Sequence, residues 1–303
     1  MGETTAFDDA PIEAIVTELG GRMTGPASGS CRCPAHEDTS PSLSVSLGHD
    51  GRLLWHCFAG CETEAVLAAL QQLGLAAGEG QRVEIDEEAL RRIREEEARL
   101  LRRRIDWARQ TWCESLPAAG TDVEAYLRSR AIRSPIPATL RYSPAAYESA
   151  CRTMPAMIVA VVDIDGTLTG VHRTFLEGAR KAAIERPKRM LGACAGSAVR
   201  LSDGPGRLIV AEGLETGLSV LDSLGGRVWA TLSTTGMKRL VLPDQAGELL
   251  IMADGEDAGR KAAQRLADRA MASGWTVKIA SAPDGMDWND VAQEAALEAG
   301  HAA

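Results

Sequence analysis

Residues 208–221 read LIVAEGLETGLSVL, and residues 249–263 read LLIMADGEDAGRKAA. Each stretch begins with a short apolar run, which is typical of a buried strand, and continues with helical spacing. Further short apolar runs begin at Arg227 and at Trp275. Strands that alternate with helices in this way predict an α/β domain with a parallel sheet that helices cover on both faces.

Acidic residues come directly after two of these strands. Glu212 follows LIVA, while Asp254, Glu256 and Asp257 follow LLIMA. Ligands of open parallel sheets bind at the carboxyl ends of the strands. Neighbouring carboxylates repel one another unless a cation lies between them, and their oxygens favour Mg²⁺ or Mn²⁺. The pattern therefore predicts a divalent-metal site, although Asp257 also fits the N-cap of the following helix.

A second group of metal-binding residue types lies near the N-terminus. Four of the seven cysteines fall between Cys31 and Cys61, and they include the pairs CPAH (residues 33–36) and CFAGC (residues 57–61). Two close ligand pairs separated by a β-hairpin predict a tetrahedral zinc site. The assigned ligands are Cys33, His36, Cys57 and Cys61. Cys31 is an alternative zinc ligand to Cys33. His56 is the other rival, with a role either beside the metal ligands or in contact with nucleic acid.

The remaining elements are predicted from periodicity and turn residues. They are a helix over 8–21, a loop over 24–30, strands over 43–47 and 52–55 joined by a turn at 48–51, a helix over 63–73, a linker over 76–85, a charged helix over 86–112 and a hairpin of 157–163 with 168–175. The charged helix is as compatible with a solvated connection as with a nucleic-acid contact.

Composition narrows the possible classes of protein. The net charge of −9 argues against a basic protein that coats nucleic acid, although it leaves room for a local basic groove. There is no apolar run long enough for a bilayer and no pattern of a signal peptide, so we expect a cytoplasmic protein whose cysteines bind metal.

The zinc pattern resembles a known family. CPAHEDTSPSLSV (33–45) followed by WHCFAGC (55–61) looks like the CHC2-type zinc-binding domain of bacterial and phage primases, with one extra residue between the last two cysteines. The resemblance implies a small zinc-ribbon-like domain that contacts a single-stranded template.

The acidic pattern resembles the Toprim domain of primases, topoisomerases, OLD-type nucleases and recombination mediators. VAEGLETGLS and IMADGEDAGRKAA carry the resemblance. It implies that Glu212, Asp254 and Glu256 are catalytic, with Glu212 as general base or metal ligand and the other two binding Mg²⁺. The family pattern is Asp-x-Asp, and its second position is Glu256 here. Because Glu departs from that pattern, Asp257 is the alternative metal ligand. The run Asp287-Trp-Asn-Asp290 is also found after the last strand in phage-type relatives, and capping by Asn289 or Asp290 is equally compatible with it.

The segment between the two patterns resembles the region that precedes Toprim in phage and plasmid primase-helicase proteins. YLRSRAI (126–132), PAMIVAVVDIDGTLTGVHRTFL (155–176) and KRMLG (188–192) carry this likeness. Nucleotide triphosphates need cationic side chains beside a metal. The predicted nucleotide- or DNA-binding residues are His172, Arg173, Lys181, Lys188 and Arg189.

The combined resemblances predict four regions: a zinc-binding domain (1–76), a linker with the charged helix (77–120), a basic α+β subdomain (121–204) and a Toprim catalytic domain (205–303). These resemblances imply a Toprim-domain primase from a phage, plasmid or other mobile element.

It would make short RNA or mixed primers on single-stranded DNA from NTPs or dNTPs, with structural Zn²⁺ and catalytic Mg²⁺ or Mn²⁺. The alternatives are a Toprim nuclease and a non-catalytic single-strand-binding or regulatory protein. Because the chain has no P-loop motif, we expect any helicase to be a separate partner.

Overall fold

The computed structural model describes residues 11–48, 52–75, 87–149 and 151–301. The chain divides into two compact units, with the boundary between Leu100 and Leu101. The finer domain boundaries given above stay predictions. None of the described helices is both long enough and apolar enough to cross a lipid bilayer.

The first unit contains a four-stranded antiparallel sheet in the order β1-β2-β3-β4. Its elements are α1 (Pro11–Glu18), β1 (Arg22–Gly25), β2 (Ser28–Cys31), β3 (Leu43–Leu47), β4 (Leu53–Cys57), α2 (Thr63–Gln72) and the start of α3 (Glu87–Cys113). The two short helices pack Val16, Val66 and Leu70 against Leu43 and Val45 of the sheet. This is the small zinc-ribbon-like fold that the sequence predicts.

The predicted hairpin is present as β3 and β4, which pair from Leu43–Cys57 to Leu47–Leu53. Its predicted turn at 48–51 lies outside the described residues except for Gly48, and the linker over 76–85 lies outside them entirely. The same is true of Asp86, so that the described part of the long charged helix begins at Glu87.

The prediction of a loop over 24–30 is wrong, because this segment contains the end of β1 and most of β2. The glycine that suggested a loop has a packing role. A Cβ atom on Gly29 would lie 2.3 Å from Cγ2 of Val16, so only glycine lets α1 pack this close to β2.

The first part of the second unit is a six-stranded antiparallel sheet with one helix. Its elements are β5 (Leu116–Pro117), α4 (Asp122–Ser129), β6 (Leu140–Ser149), β7 (Arg152–Val162), β8 (Leu168–Glu177), β9 (Arg180–Lys181) and β10 (Lys188–Gly192). The order is β10-β8-β7-β6-β5, and β9 pairs with β8. The predicted hairpin is the β7–β8 pair at the centre of this sheet.

The last part of the chain is a five-stranded sheet with helices on both faces, as predicted. Its elements are β11 (Val199–Asp203), β12 (Leu208–Ala211), α5 (Leu214–Leu224), β13 (Arg227–Ala230), α6 (Thr234–Arg239), β14 (Glu248–Ala253), α7 (Asp257–Ala272), β15 (Thr276–Ser281) and α8 (Trp288–His301). Alternate residues of β12 enter different cores: Ile209 and Ala211 belong to one cluster, whereas Leu208 and Val210 belong to the other. Burial on both faces explains the uninterrupted apolar run.

The strand order β11-β13-β12-β14-β15 contains one feature that the sequence analysis missed. The first strand, β11, is an antiparallel edge strand beside β13, while the other four strands are parallel. The order places β12 directly beside β14, so that the two strands that precede the acidic residues are neighbours at the centre of the sheet.

Candidate functional site

The first unit brings the four predicted zinc ligands together. One ligand atom from each of Cys33, His36, Cys57 and Cys61 lies within 4.8 Å of all the others. The Nδ1 atom of His36 lies 3.2 Å from Sγ of Cys61. Three thiols and one imidazole are a ligand set typical of structural zinc. The residues present therefore fit a zinc ion, and the four residues are called the zinc quartet below.

Asp38 supports the loop that carries the first two ligands. Its Oδ2 accepts hydrogen bonds from the backbone N–H of Cys33 at 2.8 Å and from the hydroxyl of Ser42 at 2.6 Å. The same oxygen lies 3.8 Å from Nε2 of His36. Carboxylates beside a ligating histidine fix the orientation of its ring, so Asp38 links the turn to the geometry of the ligands.

The two alternatives to the predicted quartet lie elsewhere. Cys31 is fully buried in the apolar core of the unit. His56 is on the exposed face of β4, where its ring makes an edge contact with Phe58 at 4.9 Å between centroids. Neither residue is part of the cluster of potential metal ligands.

In the second unit, Glu212 and Asp254 lie at the carboxyl ends of adjacent strands. Ala211 of β12 is in register with Met252 of β14, and the chain reaches Glu212 and Asp254 within two residues of this pair. Each carboxylate has one buried oxygen, Oε2 of Glu212 and Oδ1 of Asp254, that makes no hydrogen bond to any described residue. A buried carboxylate oxygen without a donor is costly unless a cation or a proton satisfies it.

The electrostatics of these carboxylates agree with a cation site. Burial, followed by the charges of Glu212, Asp287 and Glu256, raises the pKa of Asp254 to about 7. Burial also raises the pKa of Glu212, and the charge of Glu256 adds to this effect. The charges of these three side chains act on one another, and we call Glu212, Asp254 and Glu256 the acidic rim below. Oxygen ligands with uncompensated negative charge fit Mg²⁺ or Mn²⁺.

Gly255, which lies between Asp254 and Glu256 just after β14, is required for a steric reason. A Cβ atom on Gly255 would lie 1.8 Å from the carbonyl oxygen of Pro283. The N–H of Gly255 donates to the carbonyl of Met286 at 2.8 Å. The loop after β15 therefore runs directly against this position, and only glycine leaves space for it.

Asp257 lies apart from the acidic rim. Its carboxylate is 83% exposed and bonds to Nη2 of Arg260 at 2.7 Å. The prediction that Asp257 caps the helix is wrong, because the cap position is Glu256, which makes no side-chain cap hydrogen bond. The helix α7 begins at Asp257 itself, one residue earlier than predicted.

The DWND run forms a helix cap, in which Asp287 takes the cap position and Asp290 has the capping role predicted for it. Oδ1 of Asp287 accepts from the N–H groups of Asn289 and Asp290, and Oδ2 of Asp290 accepts from the N–H of Asp287. This reciprocal arrangement is a capping box at the start of α8. The amide of Asn289 instead donates to Ser219 and to the carbonyl of Arg130.

Two of the predicted basic residues converge on a buried carboxylate. Nζ of Lys188 lies 3.1 Å from Oε2 of Glu215, and Nζ of Lys181 lies 3.2 Å from Oε1. The hydroxyl of Tyr126 donates to the same Oε1 at 2.6 Å. Burial would raise the pKa of Glu215, but Lys188, Lys181 and Tyr126 hold it well below its usual range.

The predicted basic residues occupy both faces of the antiparallel sheet. His172 and Lys188 share one face, because they lie on neighbouring strands in register with Met190 and Thr174. Arg173 and Arg189 are paired with each other on the opposite face. Nη1 of Arg173 donates to the carbonyl of Tyr147 at 2.7 Å, and Nη1 of Arg189 donates to the carbonyl of Glu148 at 2.6 Å.

His172 is buried among cations. Burial, together with the charge of Lys188, lowers the pKa of His172 to about 4. Its Nδ1 has no hydrogen-bond partner within the part of the chain that the structure describes. The imidazole is therefore neutral at pH 7 and contributes no charge to the site.

Sequence reasoning missed Glu215 and Lys238. Glu215 follows Glu212 by three residues in the quoted motif, but its burial is invisible in the sequence because charged residues are rarely buried. Lys238 of α6 lowers the pKa of Glu212 through its charge, which places a cation near the acidic rim. A lysine in a short helix between two strands gives no signal of that position.

Comparisons with known proteins agree with the fold. Residues 207–298 match the Toprim domain family, and this part of the chain is a Toprim domain. Residues 102–201 match a domain of unknown function, DUF7146. No curated protein matches the chain.

Several solved structures are similar to the chain at low identity. The zinc-binding and RNA polymerase domains of the Aquifex aeolicus primase are 16% identical over 94% of this chain and 80% of that chain, with a TM-score of 0.43. The RNA polymerase domain of the Mycobacterium tuberculosis primase DnaG is 17% identical over 66% of this chain and 82% of that chain, with a TM-score of 0.42.

Proposed function

We propose that the chain is a DNA primase that joins nucleotides on a single-stranded DNA template. The observation that carries the proposal is the pair of buried, partnerless oxygens on Glu212 and Asp254 at the rim of the Toprim sheet, as far as the described residues show. A Cys₃His zinc cluster in the same chain adds the template-binding element that the sequence resemblance implies.

In this proposal Glu212, Asp254 and Glu256 hold Mg²⁺ or Mn²⁺. Bound there, the metal would lower the pKa of the attacking 3′-hydroxyl and neutralise charge on the leaving pyrophosphate. Glu256 is preferred over Asp257 as the third ligand because it acts electrostatically on both other carboxylates, whereas Asp257 is bonded to Arg260.

Lys181 and Lys188 are the favoured contacts for the nucleotide triphosphate. Both are partly exposed, at 34% and 40% of the side chain, and both carry a charge beside the first turn of α5. Arg173 and Arg189 stay predicted contacts, for nucleic acid on the other face of the sheet. His172 stays a predicted contact, although its side chain is buried.

The exposed face of the zinc unit has the character of a surface that binds single strands. Phe58 is 75% exposed and Leu54 is 52% exposed. His56 lies between these two residues in the sequence, and its ring contacts that of Phe58. Bases stack on exposed aromatic rings regardless of sequence. We infer that this face holds the template. A replicative helicase would be a separate partner. The experiment described next also distinguishes NTPs from dNTPs as substrates.

The decisive experiment incubates the protein with unprimed single-stranded DNA, labelled NTPs or dNTPs, and Mg²⁺ or Mn²⁺. We expect labelled oligomers that disappear in Glu212→Gln. A matched variant, Glu248→Gln, removes a carboxylate from the opposite end of β14 and retains synthesis. Shortening of the DNA itself would assign a nuclease, and template binding without either product would assign a non-catalytic protein.

A further inference from the structure

The contact between α5 and the antiparallel sheet contains one carboxylate for two ammonium groups. Glu215 is buried, and each of its oxygens accepts from one lysine, Lys188 on Oε2 and Lys181 on Oε1. Tyr126 completes the shell with a third donor at 2.6 Å. Both carboxylate oxygens thus have donors, while the two lysines, which we call the dilysine pair, keep an excess of one positive charge.

The excess charge needs a physical reason. A bridge that only held the two parts of the fold together would be complete with one lysine. A second lysine beside the first adds like-charge repulsion, and the pKa of Lys181 is lowered by burial and by Lys188 although Glu215 opposes this. Such repulsion is relieved when an anion binds, because both lysines are still partly exposed.

The position of the pair agrees with an anionic ligand at the acidic rim. Glu215 lies in the first turn of α5, and its Cα is within about 11 Å of that of Glu212 because the two residues are only three positions apart. The first turn of α5 lies at the carboxyl edge of the sheet, since α5 directly follows β12. The ammonium groups are therefore held at the same edge as the proposed metal ligands.

We propose that Glu215 is a positioning residue that fixes Lys181 and Lys188 as a phosphate-binding subsite for the triphosphate of the incoming nucleotide. The inference rests on the proposed function, because it names the binding partner of the same site. Glu215 touches no phosphate itself. It sets the spacing and direction of the two ammonium groups, and Tyr126 fixes the carboxylate in turn.

The chain offers a matched control on the same helix. Asp222, near the other end of α5, accepts from the N–H groups of Arg133 and Ser134 at 2.7 and 3.0 Å. It therefore also ties α5 to the segment before the Toprim sheet, but without a lysine and away from the carboxyl edge. If Glu215 were only a structural tether, its replacement should have the same effect on stability and nucleotide binding as the replacement of Asp222.

The test compares Glu215→Gln with Asp222→Asn in two assays. Calorimetric titration with a non-hydrolysable nucleoside triphosphate and Mg²⁺ measures binding, and primer synthesis gives KM and kcat. We expect Glu215→Gln to raise the dissociation constant and the KM at least tenfold with a smaller change in kcat. Asp222→Asn should lower the Tm and leave both constants within about twofold. Because Glu215 acts through the lysines, adding Glu215→Gln to Lys188→Met should raise KM by far less than it does in the wild type.

The outcomes separate this inference from the proposed function. If the wild type binds triphosphate but makes no oligomer, the primase proposal fails and the binding assay still decides the role of Glu215. If the wild type makes primers while both variants change only the Tm, Glu215 is a structural tether and the inference is overturned. An unchanged dissociation constant in Glu215→Gln likewise overturns it.

Discussion

The zinc quartet is a closed set of ligands, whereas the acidic rim is an open one. Three thiols and an imidazole within 4.8 Å of one another supply all four positions of a tetrahedral ion. At the rim, Glu212 and Asp254 leave one buried oxygen each without a donor from any described residue, and their pKa values are raised. A cation in the quartet would therefore complete the fold of the first unit, whereas a cation at the rim would be exchangeable and available to substrate.

The largest effect is expected from the zinc quartet. Replacing Cys57→Ser should unfold the first unit, because zinc binding supplies about 10 kcal/mol or more to modules with so little core. We expect loss of bound zinc in elemental analysis. We also expect a change in the fluorescence of Trp55, which lies on β4 of this unit.

The matched control for this prediction is Cys31→Ala. Cys31 is fully buried in the core of the first unit and lies outside the quartet, so its loss should cost only packing energy and leave one zinc per chain. Loss of zinc in Cys31→Ala would instead show that the quartet is wrongly assigned.

The next effect concerns the acidic rim. Asp254→Asn should reduce primer synthesis on the order of 10³-fold, because it removes one of the carboxylates proposed to hold the metal. The fold should persist, since the change relieves repulsion from Glu212 and Glu256. The measurement is the rate of oligomer formation with the Tm as a check on folding.

Asp284→Asn is the control here, because Asp284 is an exposed carboxylate bonded to Arg260 in the loop against Gly255. Comparing Glu256→Gln with Asp257→Asn sharpens the result: we expect the first to lose more activity. A greater loss in Asp257→Asn would move the third ligand by one residue.

The smallest effect is a pH dependence of stability. The pKa of Asp254 in the folded protein is about 7, against an ordinary value of 3.8. A raised pKa means that the protonated form is favoured by folding, so this contribution is present below about pH 4 and is lost as the pH rises through 7. Each unit of pKa corresponds to about 1.4 kcal/mol.

In zinc-loaded protein without magnesium, we expect the unfolding free energy of the wild type to fall relative to that of Asp254→Asn as the pH rises from about 4 to 7. Added Mg²⁺ should restore the wild type at pH 7 to 8 and should do little for the variant. Denaturant unfolding at several pH values measures this. A pH-independent difference would mean that the rim is solvated and no cation is needed.

Local patterns in the sequence determined a large part of this protein. The zinc quartet consists of ligand pairs only a few residues apart, so the spacing identified all four residues that the fold brings together, while it left Cys31 as an alternative to Cys33. The alternation of apolar runs with helical spacing identified the parallel sheet, because both periods are properties of a short segment. Strand ends also identified Glu212 and Asp254 as residues at the carboxyl edge.

Only the tertiary structure decided which distant residues meet. The neighbouring positions of β12 and β14 and the edge strand β11 depend on pairing between segments that are far apart in the chain. The burial of Glu215 with Lys181 and Lys188 joins residues 34 and 27 positions apart in the numbering. Periodicity reports which face of a segment is apolar, but a buried charge is stable only because packing delivers its partners, and packing is a property of the whole fold.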